Sequence, residues 1–179
     1  MSASLLIQTI ISALAVSAAL VLFLRRFAKG RWWLILLAAA ILVDQAAKAL
    51  AVAHPHSFSI YLNAEQGFGG HFALILPATL VGLAAAWRLA AFLKEMKYRM
   101  SAPAQVACAL VAGALISGAI DRLVIGKTVD FIVPAGSPYA YNLGDFFAFI
   151  AAGILIGRGF ALAGEGLIIL SHKHLVTRS

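Results

Sequence analysis

The chain has 179 residues, of which 63% are apolar and 12% charged, and its 14 Lys and Arg outnumber its 7 Asp and Glu. A water-soluble protein of this length could not bury that much apolar surface, so the composition excludes an ordinary globular domain and makes lipid the solvent. The positive balance does not imply nucleic acid, because the basic residues sit in clusters beside apolar runs and are not spread over a face.

Crossing the hydrocarbon core takes about 20 apolar residues in a helix, and five stretches qualify: residues 3 to 24, 32 to 53, 71 to 93, 103 to 123 and 142 to 164. The first has no basic residues ahead of it and four after it (Arg25, Arg26, Lys29 and Arg31), so it reads as an uncleaved anchor with an exterior N-terminus. Lys94, Lys97 and Arg99 follow the third stretch, and Lys173 and Arg178 lie in the tail. These are alternate connections, and basic residues beside spans are retained in the cytoplasm. Residues 54 to 70 and 124 to 141 are then exterior loops.

Acidic residues contribute little to topology, yet five of the seven carboxylates (Asp44, Glu65, Asp121, Asp130 and Asp145) fall on the exterior half, against Glu95 and Glu165 inside. Ionisable groups in hydrocarbon are costly and mark functional or mutually paired sites. In the second span Asp44 and Lys48 are four residues apart, on one helix face. They can pair for structure alone, or hold part of a site. His54 and His56 flank Pro55 in the first exterior loop, and with no third ligand they give no metal site. Cys108, the only cysteine, lies inside the fourth span and reads as packing.

Asp121 and Arg122 end the fourth span, where Asp121 reads as an interfacial charge reaching headgroups. The planar guanidinium of Arg122 suits a carbonyl, carboxylate or phosphate. Asp130 lies in Lys127-Thr128-Val129-Asp130-Phe131-Ile132-Val133, whose β-branched residues predict an extended segment. Asp145, in Tyr141-Asn142-Leu143-Gly144-Asp145, starts the last span and would serve a helix N-terminus in its own right. If Asp130 and Asp145 converge, they form a coupled pair able to hold one proton and polarise a water.

Taken in order, Val43-Asp44-Gln45-Ala46-Ala47-Lys48, the loop from Asn63 to Gly69, Ala119-Ile120-Asp121-Arg122, Val129-Asp130-Phe131-Ile132 and Tyr141-Asn142-Leu143-Gly144-Asp145 resemble the blocks of lipoprotein signal peptidase, signal peptidase II. The resemblance covers residues 33 to about 163. It implies an aspartic endopeptidase in which Asp130 and Asp145 are catalytic, with Asp44, Lys48, Asn63, Arg122 and Asn142 supporting the site or the substrate. The implied substrate is a diacylglyceryl-modified prolipoprotein, cut just before its lipidated cysteine, without cofactor or metal. The implied fold is all-α, with four membrane helices and a small exterior β-cradle supplied by residues 57 to 62 and 127 to 133.

The organisation expected here is an additional N-terminal helix with a basic loop over 1–31, the family-like membrane domain over 32–165, and a basic cytoplasmic tail over 166–179, giving about five spans in all. The protein is expected as a monomer in the bacterial inner membrane, among membrane lipids, with its active site at the outer face. Two positions depart from the family pattern: Ser117-Gly118 stands where Gly-Asn is usual, and Glu65 where glycine is usual. These departures make a relative that binds lipoproteins or lipids without cutting them the alternative function. A transporter would place its charges near the midplane or on broken helices in matched halves, whereas these carboxylates gather at one face.

Overall fold

The computed structural model describes residues 3–63, 81, 84, 88, 91 and 99–176. Four helices and two short strands lie in this part of the chain: α1 (Ala3–Phe27), α2 (Trp32–Ala53), β1 (Tyr61–Asn63), α3 (Ala102–Val124), β2 (Thr128–Asp130) and α4 (Leu143–Val176). The architecture is helical, as composition predicts, with one small antiparallel sheet, as the family resemblance implies. Among the described residues Thr9–Phe27, Trp32–Ala53 and Ala102–Val124 are long and apolar enough to cross a membrane. Apart from the isolated positions named above, the expected span at 71–93 lies outside the described residues, as does Glu65.

α3 is the hub of the bundle, packing against α1, α2 and α4. Its sequence allows this because small residues bring helix axes close without needing a difference in polarity between helix and lipid. Ala107, Ala109, Ala112 and Ala119 are buried along it. At Gly113 α3 approaches α2 closely, since a Cβ there would meet the Ala40 Cβ at 2.8 Å. α3 begins with Pro103 in its first turn, where a missing N–H costs no helical hydrogen bond. It ends at Gly126, whose φ of 78° admits the left-handed turn that caps a helix, its N–H donating to the Arg122 carbonyl at 3.1 Å. That turn sends the chain directly into β2.

At one end of the bundle, Leu24 and Phe27 of α1, Trp33 and Leu37 of α2, Met100, and Ala109 and Ala112 of α3 form a single apolar cluster. The Met100 N–H donates to the Phe27 carbonyl at 3.0 Å, closing this end. Cys108 packs against the same cluster, in keeping with a packing role. On another face of α3, Ala40, Ala107, Leu110 and Ala151 join α2, α3 and α4.

One expectation on element bounds needs correction. The cradle is smaller than 57 to 62 and 127 to 133: β1 is only Tyr61–Asn63, and residues 55 to 58 form turns and a bend led by Pro55, which holds this stretch off the ladder. α4 runs on past the expected span at 142–164 to Val176, 34 residues in all, which leaves the expectation of a basic tail over 166–179 untouched. At 1.5 Å per residue it is about 51 Å long, more than a bilayer core of about 30 Å, so part of it projects beyond the hydrocarbon.

Candidate active site

Asp130 and Asp145 are 15 positions apart in sequence and reach one another through a closed loop. β1 and β2 pair antiparallel with Tyr61 opposite Asp130 and Asn63 opposite Thr128. Beyond β2, Ile132 and Tyr141 form an isolated antiparallel bridge, exchanging N–H and carbonyl at 2.9 Å in both directions. Between them the chain reverses in a turn in which the Ser137 N–H donates to the Pro134 carbonyl at 3.0 Å. The bridge therefore fixes where α4 starts relative to β2, and both aspartates lie just outside it.

Asn142 occupies the cap position of α4 and makes that juxtaposition specific. Its side-chain Oδ1 accepts the Asp145 N–H at 3.2 Å, while its own N–H donates to Asp145 Oδ2 at 2.9 Å. This is a reciprocal capping box with Asn in the cap and Asp three residues later. The amide's other end, Nδ2, donates to Asp130 Oδ1 at 2.7 Å. One buried side chain thus touches both aspartates. The sequence motif at 142–145 serves helix capping and the pair at once. Asn63 completes the setting of Asp130, its Nδ2 donating to Oδ2 at 3.1 Å from the neighbouring strand. Asp130 is buried, whereas Asp145 is half-buried at the bundle surface.

Beneath this pair lies a fully enclosed set of polar side chains from α2 and α3. Asp44 has no exposure, and Lys48 and Asp121 are 4% and 2% exposed, so these charges depend on each other for solvation. The Lys48 ammonium contacts Asp44 Oδ2 at 2.5 Å and Asp121 Oδ2 at 2.7 Å. The expected Asp44–Lys48 pair is present and acquires a third member. Asp121 is therefore not an interfacial charge, which corrects the sequence expectation. Four residues beyond Ser117, it lies on the face of α3 that meets α2, where Lys48 holds it. Gln45, quoted from the sequence only within a motif, and Ser117, quoted only as a departure from the family pattern, also belong to this set. The signal was present, since Ser117 and Asp121 repeat on α3 the four-residue spacing of Asp44 and Lys48 on α2.

Arg122 sits otherwise than its chemistry suggested. Its Nη1 donates to the Gly118 carbonyl of its own helix at 3.0 Å, and a Cβ at 118 would press on it at 3.1 Å. The bare glycine leaves room for the guanidinium to lie there, half-buried. His54 and His56 are exposed in the turn after α2, and no metal-binding cluster of His, Cys, Asp and Glu occurs among the described residues. Tyr141, Phe146 and Phe149 pack edge to face beside Asp145, with ring centroids 6.1–6.2 Å apart. The site therefore opens onto an aromatic, apolar surface.

No curated protein matches the chain. A solved structure described as "Bacterial membrane enzyme structure by the in meso method at 2.3 A resolution" shares its fold, with a TM-score of 0.53 and 18% identity, over 75% of this chain and 88% of that one. The signal peptidase (SPase) II family matches residues 36–161, a stretch that includes both aspartates, the cap and the buried charges. The chain belongs to that family, and it is a membrane protein.

Proposed function

We propose that the protein is a membrane aspartic endopeptidase that removes the signal peptide from diacylglyceryl-modified prolipoproteins, with Asp130 and Asp145 as its reacting pair. The observation that carries this reading is the double attachment of Asn142, which holds the Asp145 carboxylate by its backbone N–H and the Asp130 carboxylate by its side-chain amide. One aspartate takes a proton from a water as that water attacks the scissile carbonyl, and its protonated partner donates a hydrogen bond to the developing oxyanion. The proton gained by the base then passes to the leaving amine. No covalent intermediate and no cofactor is required.

The surroundings suit a substrate anchored in lipid. Phe146, Phe149 and Ile150 are exposed on the first turns of α4, next to a half-buried Asp145, so acyl chains can stay in hydrocarbon while the peptide bond meets water. Asn63, Asn142 and Arg122 surround the pair and would orient the peptide, Arg122 by leaving the Gly118 carbonyl. Asp44 and Lys48 support the site from below. The basic clusters favour an orientation with the N-terminus outside and the pair at the outer face of a bacterial inner membrane.

The decisive measurement is conversion of a synthetic diacylglyceryl-cysteine precursor peptide by the purified protein in lipid, read as shortening by mass spectrometry. Asp130→Asn and Asp145→Asn each abolish conversion while leaving helix content and peptide binding intact. Binding without shortening by the unaltered protein would establish the non-cleaving alternative.

A further inference from the structure

The buried polar side chains of α2 and α3 form a closed ring in which every contact pairs a donor with an acceptor. Lys48 contacts Asp44 and Asp121, at 2.5 and 2.7 Å. The Ser117 hydroxyl donates to Asp44 Oδ2 at 2.5 Å and accepts from Gln45 Nε2 at 2.7 Å. Gln45 Nε2 also donates to Asp121 Oδ1 at 2.8 Å, returning to the start. Each carboxylate accepts one further bond, and both of these leave the ring in the same manner. Asp44 Oδ1 accepts the backbone N–H of Gly144 at 2.9 Å, and Asp121 Oδ2 accepts that of Val129 at 3.3 Å. Gly144 immediately precedes Asp145, and Val129 immediately precedes Asp130.

The geometry points to this ring as a two-armed clamp that sets the spacing of the reacting pair: Asp44 and Asp121 are positioning residues, Lys48 is their shared counter-charge, and Ser117 with Gln45 closes the ring. The inference rests on the reading of Asp130 and Asp145 as the reacting pair. Neither arm touches the aspartates themselves. Each holds the peptide unit just before one of them, so a shift of Asp44 relative to Asp121 becomes a change in the distance across the pair. A single ammonium between two carboxylates fixes that relation better than two separate ion pairs would, because neither arm can move without losing its counter-charge among side chains buried from solvent. Ser117 gives this chain its own version of the device. The family pattern has glycine-asparagine where Ser117-Gly118 stands, and here the polar side chain comes one residue earlier, where its hydroxyl reaches Asp44 and Gln45.

The test uses the full chain in lipid and two readouts: steady-state cleavage of the diacylglyceryl-cysteine peptide, and amide hydrogen exchange over residues 126–132 and 141–146. Asp121→Leu removes one arm. Exchange then rises over 126–132 alone, and kcat falls about a hundredfold, the scale of a misplacement near 1 Å, with KM unchanged. Asp121→Asn keeps an oxygen acceptor for the Val129 N–H and restores much of the kcat. Lys48→Met loosens both segments together. Should Lys48→Met fail to fold, Ser117→Ala opens the ring without removing a charge, and it raises exchange over 141–146 with a kcat loss of about three- to tenfold.

Wild-type exchange over both segments in Asp121→Leu and Ser117→Ala would overturn the clamp. So would a rise spread evenly along α2 and α3, or a change in KM with kcat held. If the unaltered protein cuts no lipidated peptide, the peptidase reading fails, and the exchange pattern still decides whether the clamp exists.

Discussion

At the basic end of the bundle, α1, α2 and α3 meet through Leu24, Phe27, Trp33, Leu37 and Met100, all 9% exposed or less. At the opposite end the same α2 and α3 meet through Asp44, Lys48, Ser117 and Asp121, which are buried just as deeply. Equal burial therefore has two different physical meanings in one pair of helices. At the basic end it is close packing, which tolerates partial loss because neighbouring side chains can relax. At the aspartate end it is a hydrogen-bonded charge array, in which removing one member leaves its partners desolvated and unpaired. The first should govern how stable the protein is, and the second how well Asp130 and Asp145 are placed.

The sharpest way to break this division is to change the aspartates themselves. Asp130→Asn and Asp145→Asn should each lower cleavage of a lipidated peptide by about 10³- to 10⁴-fold, toward the upper range for loss of a positioned acid or base. The double variant should be little worse than either single one, because the two carboxylates act as a unit. Thermal unfolding followed by helix signal should scarcely move. A large loss of stability with either substitution would show that the pair belongs to the architecture.

The next test separates the two duties of Asn142. Asn142→Ala loses both the cap and the bond to Asp130, so activity should fall about a hundredfold and stability by about 1 kcal/mol. Asn142→Ser keeps a side-chain acceptor for the α4 amides and loses only the reach to Asp130. It should restore stability and leave most of the activity defect. Equal recovery of both quantities would mean that the cap alone matters.

Much of this division could be read in the amino-acid sequence, for uneven reasons. Apolar runs of about 20 residues have no alternative in lipid, so α1, α2 and α3 follow from length and hydropathy. Asp130 and Asp145 stood out because carboxylates are few and gather on one side, and the block order resembling signal peptidase II made them a pair. What stayed hidden was which face each polar residue of α3 presents to which neighbour. Asp121 looked interfacial because a charge at a helix end can always reach water, and only the packing of α3 against α2 shows it meeting Lys48. Ser117 registered only as a departure from the family pattern and Gln45 only inside a motif, because the partners of small polar residues in membrane helices depend on the neighbouring helix. The length of α4 was also hidden, since a helix leaving the bilayer needs no apolar face to continue.

The smallest expected effect on cleavage comes from the basic end, and it tests the other half of the comparison. Leu24 is fully buried in the cluster joining α1, α2 and α3, and α1 lies ahead of the family match at 36–161. Leu24→Ala should cost about 2–5 kcal/mol by opening a cavity, read as a lower unfolding midpoint in micelles. Its kcat below the transition should remain within about twofold of the unaltered protein, because α3 is still held to α2 through Gly113 and the Asp44–Lys48–Asp121 contacts. A kcat loss comparable to that of Asn142→Ala would mean that packing at the basic end is transmitted along α3 to Asp121. α1 would then belong to the catalytic unit, and the two ends could no longer be treated as independent.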